Sequence, residues 1–126
     1  ENESFNDIIK FYGKIDQKEI ALLTSMSDIF VFASSCENFP NTLLEGMATG
    51  SLILCSNIRP MKDILLDGGI YFDPTSSNSI YKALKNVICS KKEYFNMMNR
   101  SRELSLNYSW EKCSEDTWKF LIKDLN

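Results

Sequence analysis

Short apolar runs alternate along the chain with longer stretches in which apolar residues recur every three or four positions, the rhythm of βαβ units. The first run, Ile8-Ile9-Lys10-Phe11-Tyr12, predicts a strand closed by Gly13. Asp16 is placed to cap a helix over 17–27, with Glu19 in capping-box relation and Ile20, Leu23 and Met26 at helical spacing. Asp28 breaks that helix. Residues 29–33 are apolar without alternation, as in a strand covered on both faces. After the polar loop Ser34–Asn38 and Phe39-Pro40, residues 41–49 predict a helix with Leu43, Leu44, Met47 and Ala48 on its apolar face and Gly50 as C-cap. Leu52–Cys55 reads as a third strand, 61–66 as a short helix and Ile70–Phe72 as a fourth strand, ended by Asp73-Pro74. Ile80, Ala83, Leu84, Val87 and Ile88 form the stripe of an amphipathic helix over 77–89. A helix follows at 92–106, and Ser109 caps a last one over 110–125, whose Trp110 and Trp118 share a face and read as core. No repeat or linker interrupts the chain, so it reads as one unit.

Composition narrows the function classes. The 126 residues, 44% apolar and 12% aromatic, suit a folded domain and not a disordered segment. A net charge of −3 lacks the basic footprint of nucleic-acid binding. The absence of His excludes His triads, His general bases and His metal sites within this chain. Cys36, Cys55, Cys89 and Cys113 have neither metal-ligand nor redox-motif spacing. Cys55 and Cys89 lie in apolar runs and read as core, and a reducing, cytoplasmic compartment is expected. No apolar window is long enough to span a bilayer, and no signal peptide is expected.

The chemistry concentrates in Ser34–Gly50, SSCENFPNTLLEGMATG. Glu37 falls in the loop after a buried strand, and Glu45 eight residues later on the following helix. Ligands of open α/β sheets bind at the carboxyl ends of the strands, in this kind of loop. The helix start near Asn41-Thr42 offers backbone N–H groups and the positive end of a dipole, an anion site suited to phosphate. Pro40, lacking an N–H, costs nothing just ahead of it. The two carboxylates would accept hydrogen bonds from hydroxyls, as of sugars on either side of a diphosphate. Spacing alone leaves a second reading open: Glu37 as a solvated loop acid and Glu45 as an acid that favours its helix through the dipole.

Glu37 and Glu45 form the E-x7-E pattern, and the segment around them resembles that of retaining family 4 glycosyltransferases with the GT-B fold. FYGKI, DIFVFASSCENFPNTLLEGMATG, LILCSNIRPMKDILLDGGIYFDP, SIYKALKNVI and NYSWEKCSEDTWKFL resemble the family's blocks in order, from about Ile8 to Leu125. The resemblance implies an α/β, Rossmann-like three-layer sandwich with parallel strands, part of a C-terminal GT-B domain. It implies donor-sugar contacts at Glu37, the catalytic position, with Phe39, Pro40 and Asn41. It implies phosphate binding by the backbone of Asn41, Thr42 and Leu43, ribose binding by Glu45, and proximity to the base at Lys14 and Ile15. No metal and no cofactor beyond the substrate nucleotide sugar are implied, a UDP-sugar being favoured over a GDP-sugar. The partners implied are that donor and a glycan or lipid-linked acceptor. Peripheral association with the inner face of a membrane would run through regions outside the chain.

The sequence departs from the family at two points. Gly46 stands where Ala is usual, at a cost of ~1 kcal/mol in a helix. The family's acceptor domain and its first two βα units, which carry a basic Arg and Lys for the diphosphate, have no counterpart in these residues. In the family's strand order, strand 8–12 would lie three spacings, ~14 Å, from strand 29–33, floating or paired elsewhere. Two function readings follow: part of the donor site of a sugar transferase, or a truncated, inactive fragment that only binds a nucleotide sugar weakly. A nucleotide-sugar epimerase would need a His in this half, and a flavodoxin-like module would need an acidic or phosphate-loop cluster after the first strand. Bland roles are expected for Phe39 (packing), Cys36 (bystander), Asp63 (capping or solvated) and Lys91, Lys92, Arg100 and Arg102 (a solvated face). Lys14 reads equally as a surface lysine.

Overall fold

The computed structural model describes residues 8–89 and 94–123. Helix α1 (Gln17–Ser25) is followed by strand β1 (Ile29–Phe32), helix α2 (Asn41–Thr49), strand β2 (Leu52–Ser56) and the short helix α3 (Met61–Leu65). Strand β3 (Gly69–Phe72) and helices α4 (Ser77–Cys89), α5 (Phe95–Ser105) and α6 (Trp110–Ile122) complete the order. The strands pair in parallel in the order β1-β2-β3, with Ile29 opposite Leu52 and Leu54 opposite Ile70.

Register divides the apolar strand residues between two faces. Phe30, Phe32, Ile53, Cys55 and Tyr71 face Leu43 and Met47 of α2 and the α3 residues Met61, Ile64 and Leu65. Leu52, Leu54, Ile70 and Phe72 face Ala83 and Val87 of α4, with Met97 and Met98 of α5 beside them. Helices on both faces of a parallel sheet make the expected three-layer α/β sandwich, and every residue of the central strand β2 is buried. The local signals act as expected at several ends. The Asp16 side chain accepts from the Glu19 N–H at 2.8 Å, Gly50 closes α2 at φ 78°, and Ser109 caps α6.

Four sequence expectations are corrected. Residues 8–12 form no strand, so the sheet among the described residues has three strands and not four. Ile8, Ile9, Phe11 and Tyr12 are exposed, and without a neighbouring strand water serves their backbone groups better than an isolated extended segment would. Trp110 and Trp118 are not core: they are 79% and 64% exposed, and α6 buries no residue. Cys89 is exposed, while Cys55 is fully buried as expected. Strand β1 is not covered on both faces, since Val31 is 40% exposed. Helix α5 begins at Phe95, and Lys91 and Lys92 lie outside the described residues.

The turn between α3 and β3 is held from two sides. Leu66 adopts φ 48°, a conformation side chains beyond glycine rarely take. The Tyr71 hydroxyl donates to the Leu66 carbonyl at 2.7 Å, and Arg100 of α5 donates to Asp67 at 2.9 Å. That hydrogen bond from Arg100 holds the Asp67 carboxyl below its usual range and raises the guanidinium in turn. Arg100 is therefore paired, also with Glu103 at 3.6 Å, and does not simply solvate its helix. Two glycines admit the close approach: a Cβ on Gly68 would meet the Ser101 backbone at 2.9 Å, and one on Gly69 the Ile53 carbonyl at 2.8 Å.

Candidate functional site

In a parallel sheet the loops at the carboxyl ends of the strands share one side, here the loops after Phe32, Ser56 and Phe72. The loop after β1 carries Glu37. The Ser34 hydroxyl folds this loop by donating to the Cys36 carbonyl at 3.2 Å. Glu37 is half-buried, and its carboxylate has no hydrogen-bond donor among the described residues. Phe39 is 48% exposed and meets Tyr108 in a tilted pair, ring centroids 6.0 Å apart and planes at 56°, so it both packs and remains open to solvent. Cys36 is exposed and free.

Pro40 is fully buried and serves as N-cap of α2 without a side-chain cap. Its carbonyl accepts from Leu43 at 3.0 Å and from Leu44 at 3.3 Å, and the Asn41 N–H donates to the Phe39 carbonyl at 3.1 Å. Of the three N–H groups expected at a phosphate, those of Asn41 and Leu43 thus have local acceptors. The Thr42 N–H has none among the described residues. The positive end of the α2 dipole lies behind all three.

Glu45 lies one turn further along α2, half-buried. Its Oε1 accepts from the Gln17 Nε2 at 3.1 Å, across 28 residues of sequence. The two side chains stand in a crevice of about 270 Å³ between α1 and α2, walled by Ala21, Thr24, Ala48 and Thr49. Ile15 lines a second, smaller crevice of about 140 Å³ with Tyr12 and Leu22 on the other side of α1. Gly13, at φ 63°, turns the chain into this segment, and Lys14 is exposed beside it. The structure therefore brings Gln17 to Glu45, leaves Ile15 on the far side of α1, and leaves Glu37 and Phe39 with the neighbouring loop. Gln17 and Tyr108 carried no sequence signal, since each acts through a partner far along the chain. Asp63 is exposed and pairs with Arg59 at 3.6 Å.

Gly46 has a packing reason. A Cβ there would fall 2.7 Å from the Phe30 ring, so α2 approaches β1 through the missing methyl group. Asp73 ends β3 in a turn of its own: its Oδ1 accepts from the Thr75 N–H at 2.9 Å and hydroxyl at 2.7 Å. The hydroxyl contact, then the backbone one, lowers its carboxyl from the ordinary value.

The sequence profile of the family described as Glycosyl transferases group 1 matches residues 1–104. The chain belongs to that family. Among curated relatives, O-antigen chain mannosyltransferase B of Escherichia coli is 24% identical over 86% of this chain and 29% of its own length. Phosphatidyl-myo-inositol mannosyltransferase of Propionibacterium freudenreichii is 29% identical over 81% of this chain and 28% of its own. Sucrose-phosphate synthase from Thermosynechococcus elongatus shares the fold at a TM-score of 0.82 and 20% identity, over 94% of this chain and 31% of that one. This group 1 chain thus spans less than a third of the length of these relatives.

Proposed function

We propose that this chain forms part of the donor site of a retaining glycosyltransferase that moves a hexose from a nucleotide sugar to a glycan or lipid-linked acceptor. The observation that carries the reading is Glu45, a carboxylate held at the edge of an open crevice on the helix that starts beside the Glu37 loop, in a chain of the group 1 family. Glu45 accepts hydrogen bonds from the ribose hydroxyls. Glu37 faces the hydroxyls of the donor sugar, with Phe39, Pro40 and Asn41 shaping the loop around it. The start of α2 receives the diphosphate, where the Thr42 N–H is ready and those of Asn41 and Leu43 exchange short local bonds for phosphate oxygens. Stabilising the charge of the departing diphosphate is the main electrostatic task of such a site. Lys14 and Ile15 flank the base. The names of the two curated relatives, one for an O-antigen chain and one for phosphatidyl-myo-inositol, support both acceptor classes and a mannose-like sugar.

The remaining domain, with an upstream basic pair for the diphosphate, belongs to the same proposal, as does any contact with a membrane. No described helix is long and apolar enough to cross one. The share of the relatives that the chain covers favours, as second reading, a weakly binding and inactive fragment. Titration of the chain with UDP, GDP and ADP, read by backbone amide shifts, separates the two from a chain without a nucleotide site. Shifts at Asn41–Leu43 and Glu45 are expected, strongest with UDP. Glu45→Ala should weaken binding by about 1–3 kcal/mol, the size of a charged hydrogen bond. Unchanged affinity in that variant would reject the ribose role.

A further inference from the structure

We propose that Gln17 is a positioning residue for Glu45, setting how strongly the site distinguishes nucleotides that carry a ribose diol from those that do not. The inference rests on the donor-site reading above and adds to it a residue of α1.

Three observations lead to it. The Gln17 amide is the side-chain hydrogen-bond donor to Glu45 among the described residues, at 3.1 Å. None of the crevice-lining residues is cationic, so the partner that meets the carboxylate there is a neutral amide. A carboxylate has about four acceptor sites, and one amide N–H occupies one of them, on Oε1. Oε2 and the rest remain for two hydroxyls. A Lys or Arg in the same place would have neutralised the charge that makes those bonds strong.

The backbone of Gln17 is itself held in place. It is the first residue of α1, and the Asp16 cap fixes that turn through the Glu19 N–H at 2.8 Å. At the other end of the contact, α2 is seated on β1 through Gly46. Glu45 and Gln17 therefore stand on two anchored helices, with their side chains in hydrogen-bond contact, and preorganisation of this kind lowers the ordering cost of binding.

The test compares affinities of the chain for UDP and for its 2′,3′-dideoxy analogue. In the unaltered chain UDP should bind more tightly by about tenfold, the scale of one charged hydrogen bond. Gln17→Ala should reduce that ratio at least threefold by weakening UDP alone, with dideoxy affinity and melting temperature unchanged. Gln17→Glu, which sets a like charge against Glu45, should abolish the ratio. In the unaltered chain, the Gln17 side-chain amide resonance should move on adding UDP and stay still on adding the dideoxy analogue. Equal weakening of both ligands by Gln17→Ala would indicate a merely structural role and overturn the proposal, as would an unchanged ratio. Glu45→Gln separates the two levels. If it collapses the ratio while Gln17→Ala does not, the role of Gln17 alone fails. If it leaves the ratio intact, or if the unaltered chain binds neither ligand, the donor-site reading fails and this one with it.

Discussion

Gly46 and Phe30 occupy one volume between them. The Phe30 ring fills the space in which a Cβ at position 46 would lie, 2.7 Å from its edge carbons. A methyl group would force the ring off its rotamer or push α2 away from β1, and overpacking of this kind costs about 1–3 kcal/mol. Helix propensity favours the same substitution by up to ~1 kcal/mol, so the steric cost decides the sign only if the ring cannot yield. Because Phe30 is packed against the core cluster of Leu43 and Met47, it has little freedom to do so. Gly46→Ala should lower the thermal midpoint, and adding Phe30→Leu should restore most of the loss. Equal losses in the single and double variants would show that the two positions are not coupled.

Elements differ in how much of their apolar surface they bury. Helix α2 buries Leu43 and Met47 completely, whereas α6 buries nothing. Leu43→Ala should therefore cost about 2–5 kcal/mol in a denaturant melt. Trp118→Ala should cost less than about 1 kcal/mol, since surface changes rarely exceed that. A similar loss in both variants would contradict the exposure of α6.

The same contrast marks what could be read from sequence. Helix α4 was legible to the residue, because Ile80, Ala83, Leu84 and Val87 keep helical spacing and meet a sheet face. The stripe of Trp110 and Trp118 has equally good spacing, but periodicity says only that a face is apolar, never what covers it. Residues 8–12 have the composition of a strand, yet a strand exists only beside another, and that is a property of the sheet. At the site, Glu37 and Glu45 stood out through a pattern of two acids eight positions apart. Gln17 did not, because its hydrogen bond joins residues 28 apart in sequence, and Tyr108 reaches Phe39 from the turn after α5.

At the scale of the whole molecule, the buried sheet sets the response to alkali. Burial pushes the Cys55 thiol from 9.0 up to about 12, and the Tyr71 hydroxyl from 10.0 to about 12, the latter helped by the charges of Cys55, Asp67 and Asp63. In the unfolded chain both groups release their protons at the lower values. The stability they contribute is complete below pH 9.0 and is lost as pH rises toward about 12. Melting temperature should fall across that window, and Cys55→Ala should make the decline shallower, whatever it does to the starting value. A decline equally steep without the thiol would remove Cys55 from this account.

Among the described residues, strand β1 is one of the sheet's two outer strands, four apolar residues in a row, Ile29–Phe32, with Val31 partly open to solvent. An outer strand of this kind has no lysine, proline or bulge to discourage a newcomer, and it is a ready template for another backbone. In colloidal terms, the edge predicts a polypeptide whose loss from solution steepens with concentration, as turbidity against concentration would show. Crowding brings such edges together, and a segment that covers this one would also oppose that association.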